Sequence, residues 1–151
     1  MVIAGAGPAG TSVAARLAQH GRAREVLVLE RYRFPRDKPC GGGLTGHADA
    51  VMAELELELT CPHMAAADAK VRFGSFERAV TLGKPVQVIR REEFDASLVE
   101  QIRDRGIEVV EGEGVKGYRA TDGGVTVLTS LGREIECDVL VGADGAASVV
   151  R

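Results

Sequence analysis

The chain has 151 residues, a formal net charge of −3, and 45% hydrophobic against 27% charged residues, enough for one ordinary globular domain with its own core. The mild acidity argues against a nucleic-acid partner, and no apolar run approaches the roughly 20 residues of a membrane span. A glycine turn stands where a signal peptide would carry its apolar stretch, and Cys40, Cys61 and Cys137 are scattered without metal-ligand spacing, which predicts a reducing, cytoplasmic setting and no metal.

The first ten residues organise the rest. Val2 to Ala4 predicts a short strand that runs into Gly5, Gly7 and Gly10, with Pro8 and Ala9 opening a helix whose apolar face is Val13, Ala14, Leu17 and Ala18. A second apolar run, Val26 to Leu29, ends at Glu30, twenty residues past Gly10. This strand–turn–helix–strand–acid unit is the context in which G-x-G-x-x-G reads as a dinucleotide fingerprint. Gly5 permits the tight turn, Gly7 lets a pyrophosphate approach the backbone, and Gly10 lets helix and strand pack closely. The helix start offers free N–H groups and a positive dipole end to phosphate. Glu30 is placed to accept hydrogen bonds from ribose hydroxyls, and the fingerprint alone does not separate FAD from NAD.

Residues 30–38 carry four cations, Arg31, Arg33, Arg36 and Lys38, in a loop where Pro35 and Pro39 exclude regular helix. Because the loop leaves the carboxyl end of a nucleotide-site strand, at least one of these cations is expected to face pyrophosphate or a ribityl chain. Cys40-Gly41-Gly42-Gly43 follows, and three successive glycines imply the close approach of a flat ligand or a flexible connector. Lys38 and Arg36 are candidates to lower the Cys40 pKa. A short helix is expected from Gly46 to Leu59, although residues 54–59 alternate with period two and read equally as strand. Cys61 to Met64 reads as a loop with His63 structural or exposed. Three short strands, Val71–Phe73, Ala79–Leu82 and Val86–Ile89, follow with turns at Gly74 and at Gly83–Pro85. Residues 56–90 therefore read as part of an inserted antiparallel sheet.

The next helix opens at Arg90, with Phe94, Leu98 and Ile102 on one face, Glu92 and Glu93 at its start, and Gly106 as its stop. Arg91 runs against that charge pattern unless an anion binds nearby. Ile107–Val110 is the third strand of the nucleotide sheet. Gly114 to Cys137 gives a three-stranded meander with turns near Asp122–Gly124 and Ser130–Gly132. Residues 138–145 are expected to form a buried strand ending in a small-residue turn at Asp144-Gly145, and Ala146 to Arg151 to begin a helix. Right-handed crossovers place the parallel strands in the order 3-2-1-4, with Asp144 beside the opening glycine turn, either as a ribose or ribityl ligand or as a turn cap. The short first strand and the abrupt stop at Arg151 give the expectation that residues 1–151 are an N-terminal piece of a longer protein.

The opening turn, the meander and Gly142-Ala-Asp-Gly-Ala-Ala-Ser-Val-Val-Arg151 together resemble the FAD-dependent oxidoreductases of the aromatic-hydroxylase type. Ala147 stands where that motif usually has a polar residue. Lys38-Pro-Cys-Gly-Gly-Gly-Leu44 and Arg90-Arg-Glu-Glu-Phe-Asp95 are most similar to the geranylgeranyl reductase branch. The resemblance implies an α/β, Rossmann-like FAD-binding domain with a meander and part of an inserted substrate-domain sheet. It implies FAD as cofactor, with Gly5, Gly7, Pro8, Ala9 and Gly10 at the pyrophosphate, Glu30 at the adenosine ribose and Arg31 beside it. Arg91 would contact the cofactor, Asp144 and Gly145 would meet the ribityl side, and Cys40 and Gly41 would lie near the isoalloxazine ring, with Cys40 the one candidate for a catalytic role. In that branch reduced flavin delivers hydride to prenyl double bonds, with NAD(P)H or another reductant as electron donor and a hydrophobic prenyl substrate that implies peripheral membrane contact. The alternatives are an FAD-dependent monooxygenase or halogenase, or a truncated non-catalytic dinucleotide-binding module. An NAD-dependent dehydrogenase would leave the meander and the Asp144 motif unexplained.

Overall fold

The computed structural model describes residues Met1–Arg151. Its centre is a four-stranded parallel sheet built from β1 (Val2–Ala4), β2 (Leu27–Glu30), β6 (Glu108–Glu111) and β10 (Leu140–Gly142), in the spatial order β10-β1-β2-β6. This is the 3-2-1-4 order expected from the crossover rule. Ile3 pairs in register with both Val28 and Val141, and Val28 with Val109, so these four residues share one face. Helices α1 (Pro8–Gln19) and α3 (Arg91–Asp104) cover that face and pack on each other. Ile3, Val28, Leu98 and Ile102 are at most 2% exposed there, and each such side chain stabilises the fold by about 1.5–3 kcal/mol.

Alternate residues turn the other way. Val2 and Leu29 meet Val127 from the meander of β7 (Val115–Thr121), β8 (Gly124–Thr129) and β9 (Glu134–Cys137). The result is three layers: helices, parallel sheet, meander. The third sheet has the order β3-β5-β4, from β3 (Gly43–Leu44), β4 (His63–Phe73) and β5 (Phe76–Ile89).

Several expectations are corrected. The short strands of residues 71–89 are two long ones, and His63 and Met64 belong to β4 rather than to a loop. The chain does not turn back at Gly83–Pro85. Ala66 pairs with Val86 and Asp68 with Thr81, so residues 82–85 loop out of a continuous hairpin. A proline lacking its N–H and a glycine suit a place where the ladder is broken. The α2 helix covers only Gly46–Glu54; beyond it Glu56 takes a φ of +56° while Leu55 and Leu57 are buried, so the period-two pattern records burial of an irregular segment. Strand β10 lies at the sheet edge and is only half-buried. No helix forms over Ala146–Arg151: the Asp144 carboxylate accepts from the Val149 N–H, and the Ser148 hydroxyl accepts from the Val150 and Arg151 N–H groups. Side chains that satisfy backbone donors locally compete with helix.

Candidate functional site: the groove at the carboxyl end of the parallel sheet

The glycine turn joins β1 to α1 where the parallel strands end. Gly5 takes φ +98°, and a Cβ there would stand 2.5 Å from the Ala143 carbonyl oxygen, so the β10 end of the sheet packs directly on the turn. A Cβ on Gly10 would stand 1.9 Å from the Gly5 carbonyl oxygen. Gly7 differs, because its Cβ position meets only the tip of Arg36, at 3.4 Å. Gly7 is also the N-cap of α1, with no side-chain cap and Pro8 next. The first-turn N–H groups of α1 therefore lack both an intrahelical partner and a capping side chain.

Glu30 ends β2 and is 4% exposed. Its Oε2 accepts from the Ala6 N–H at 2.9 Å and its Oε1 from the Tyr32 N–H at 3.1 Å. The carboxylate thus ties the glycine turn to the start of the cationic loop, and two acceptor positions remain for hydroxyl groups. The loop returns Arg36 over the turn. Its Nη2 is 3.1 Å from Asp95 Oδ2, its Nε is 3.8 Å from Glu30 Oε1, and its guanidinium lies over the Phe34 ring at 5.1 Å. Asp95 is fully buried on α3, and Arg91, one turn earlier, donates Nε to Asp95 Oδ1 at 2.7 Å and Nη2 to Asp95 Oδ2 at 2.8 Å. That fork raises the Arg91 pKa above its ordinary value, against the opposing effect of burial.

Two cavities meet here. A polar groove of about 310 Å³ is lined by Gly5, Gly7, Pro8, Ala9, Glu30, Arg31, Tyr32, Arg36, Arg91, Asp144 and Gly145 among others. An apolar cavity of about 410 Å³ lies next to it, walled by Cys40, Leu44, Val51, Met52, Phe94 and Leu98, and shares Pro8, Ala9 and Arg91 with the groove. The sequence-predicted residues thus converge, with two exceptions. Gly10 is buried behind the turn. Gly41 is exposed, with open space where its Cβ would stand. The neighbouring Gly42 is explained by packing: at φ +70° its Cβ would stand 2.1 Å from the Ile89 carbonyl oxygen.

Cys40 is exposed and its thiol lies below the ordinary value, first because the Gly42 N–H points at the sulfur at 3.5 Å and then because Arg91 is close. Neither Lys38 nor Arg36 is the cause. Asp144 also lies below its ordinary value: burial pushes it up, but the nearby Ser148 hydroxyl and the surrounding backbone N–H groups, with Val149 donating to Oδ2 at 2.7 Å, outweigh that. Its Oδ1 is buried without a partner, as is the Arg36 Nε. Sequence reasoning gives Asp95 no role in the site, and Arg36 only a share in the cationic loop and a candidate influence on the Cys40 thiol. Arg36 was one of four cations in a loop, and the signal for Asp95 was its four-residue spacing from Arg91 on the buried face of α3.

An uncapped helix start, a glycine turn open to Arg36 at Gly7, a buried acid at the end of β2 and an orphaned carboxylate oxygen on Asp144 are the features a dinucleotide with a pyrophosphate and vicinal hydroxyls requires. The chain belongs to the family described as FAD binding domain, whose match spans residues 1–151. It is 34% identical to the menaquinone reductase of Mycobacterium tuberculosis, over 98% of this chain and 38% of that protein. It is 30% identical to the chloroplastic geranylgeranyl diphosphate reductase of Arabidopsis thaliana, over 99% of this chain and 34% of that protein. A crystal structure of the halogenase PltM in complex with phloroglucinol and FAD superposes with a TM-score of 0.80 at 18% identity, covering 99% of this chain and 35% of that one, which shows the shared fold. The chain therefore spans a little over a third of the length of the curated relatives it matches. Similarity to the geranylgeranyl branch does not exceed similarity to the menaquinone reductase. No helix is long and apolar enough to cross a membrane.

Proposed function

We propose that the chain forms the FAD-binding portion of a flavin-dependent oxidoreductase acting on an apolar substrate, with reduction of prenyl double bonds as its reaction. The observation that carries this reading is the junction of the polar groove with the apolar cavity at Pro8, Ala9 and Arg91. A cofactor with a charged centre and a flat, largely apolar end needs both environments side by side. Bound FAD supplies the two-electron redox centre that protein side chains lack. The protein's part is to hold and orient it. Glu30 takes the adenosine ribose, with Arg31 at the rim, and the α1 N-terminus with Gly5, Gly7, Pro8 and Ala9 takes the pyrophosphate together with Arg36 and Arg91. Asp144 and Gly145 take the ribityl hydroxyls, and Gly10 keeps the turn packed. The Cys40–Gly43 loop lies toward the ring end, with Cys40 and Gly41 at its open side. The antiparallel sheet that residues 56–90 help to build is the start of the substrate-side layer.

The prenyl reading draws on the apolar lining of the second cavity and on the likeness to geranylgeranyl diphosphate reductase. NAD(P)H or another reductant would supply electrons, in a cytoplasmic protein with peripheral contact to the membrane that carries its substrate. A monooxygenase or halogenase reaction is the second reading, favoured by the fold shared with PltM. Photoreduced FAD bound to the complete protein should be reoxidised under argon by a prenyl alkene, giving a product with one double bond fewer. Product formed only in oxygen, and hydroxylated or halogenated, replaces reduction with the second reading.

A further inference from the structure

Between the helix layer and the cationic loop lies a charge cluster that the cofactor-contact reading does not use in full. Asp95 has no exposed surface, and both of its oxygens are engaged. Oδ1 accepts from Arg91 Nε, while Oδ2 accepts from Arg91 Nη2 at 2.8 Å and lies 3.1 Å from Arg36 Nη2. One carboxylate oxygen is therefore shared by guanidiniums that come from two distant stretches of chain. Arg36 and Arg91 line the groove, and Asp95 does not. Glu30 stands 3.8 Å from Arg36 on the other side, so two carboxylates offset two guanidiniums. A buried charge so fully engaged costs desolvation that a packed leucine would avoid, so stability alone is a weak reason for it.

We propose that Asp95 is a positioning residue of the FAD site: a carboxylate buried beneath the groove that couples Arg36 and Arg91 and fixes both guanidiniums toward the pyrophosphate. The inference rests on the FAD reading given above. A guanidinium has five N–H donors in a rigid fork, so anchoring some of them on Asp95 sets the direction of the others. Without the anchor, the Arg36 loop has no tie to α3 through this pair, and each guanidinium must be oriented by the ligand itself, at an entropic cost to binding.

The test is a double-mutant cycle on FAD affinity, read by flavin fluorescence, with wild type, Asp95→Asn, Arg36→Gln and the double variant. Asp95→Asn should weaken FAD binding at least about tenfold in wild type, and by a clearly smaller factor once Arg36 is already Gln, the remaining loss being the share carried through Arg91. Equal losses in both backgrounds make Asp95 a general support of the fold and overturn the proposal, as does unchanged affinity in Asp95→Asn. Where thermal unfolding shows that Asp95→Asn does not fold, the cycle is run on Arg36→Gln and Arg91→Gln. Losses that multiply independently overturn the proposal, and a double variant that loses clearly less than the product supports it. A folded wild type that binds no FAD overturns the cofactor reading and this proposal together. FAD binding with independent losses overturns this proposal alone.

Discussion

Gly10→Ala and Gly7→Ala differ by one methyl group each and should fail in different ways. At Gly10 the new Cβ would stand 1.9 Å from the Gly5 carbonyl oxygen, about 1.5 Å inside ordinary contact. The atom it meets is backbone in the turn that the β10 end packs on, so it cannot rotate away. Overpacking of this kind costs about 1–3 kcal/mol, and a backbone obstacle puts it at the upper end. Alanine's better helix propensity returns at most about 1 kcal/mol. The net loss of about 2 kcal/mol should lower Tm by roughly 4–8 °C for a domain of this size, and the displaced turn should bind FAD poorly. At Gly7 the new methyl meets only the Arg36 tip at 3.4 Å, so stability should stay within about 0.5 kcal/mol of wild type. It fills the face reserved for pyrophosphate, so FAD affinity should still fall at least about tenfold. Thermal unfolding without ligand and fluorescence titration with FAD separate the two effects. Wild-type FAD affinity in Gly7→Ala would refute the assignment of that face, and wild-type stability in Gly10→Ala would refute the packing argument.

Glu30→Ala should weaken FAD binding by about 1–3 kcal/mol and also destabilise the ligand-free protein, because the buried Ala6 N–H loses its acceptor; a titration and a urea melt on the same sample check both halves. Cys40 should react with iodoacetamide at lower pH than a free thiol, since Gly42 and Arg91 favour the thiolate, and Arg91→Gln should move the midpoint of the rate–pH curve upward. Cys40→Ser should leave FAD affinity nearly unchanged while altering turnover of the complete protein; normal turnover would make Cys40 structural.

The nucleotide half of the fold was legible because its signals are local. Val2 to Gly10 and Val26 to Glu30 each carry their own period and punctuation, and handed crossovers then order the strands. What was not legible depended on distant partners. Gly83 and Pro85 read as a turn because a break in a ladder and a reversal use the same residues; only the register of Ala66 with Val86 separates them. Ala146 to Arg151 reads as the start of a helix, yet the Asp144 and Ser148 side chains bond to the backbone there in a way that prevents one. In the site, Glu30 announced itself by its distance from Gly10. Arg36 could not be picked from four cations, because the loop's return path is set by Asp95 and Glu30, residues on two other elements.

The central claim is that the groove is built for FAD, and the most direct measurement is a titration of the purified protein with FAD, followed by flavin absorbance and fluorescence, with NAD as control. FAD should bind saturably and NAD not at all at the same concentrations, and the FAD signal should weaken in Gly7→Ala. A folded protein that binds NAD in preference, or that ignores both, would contradict the claim.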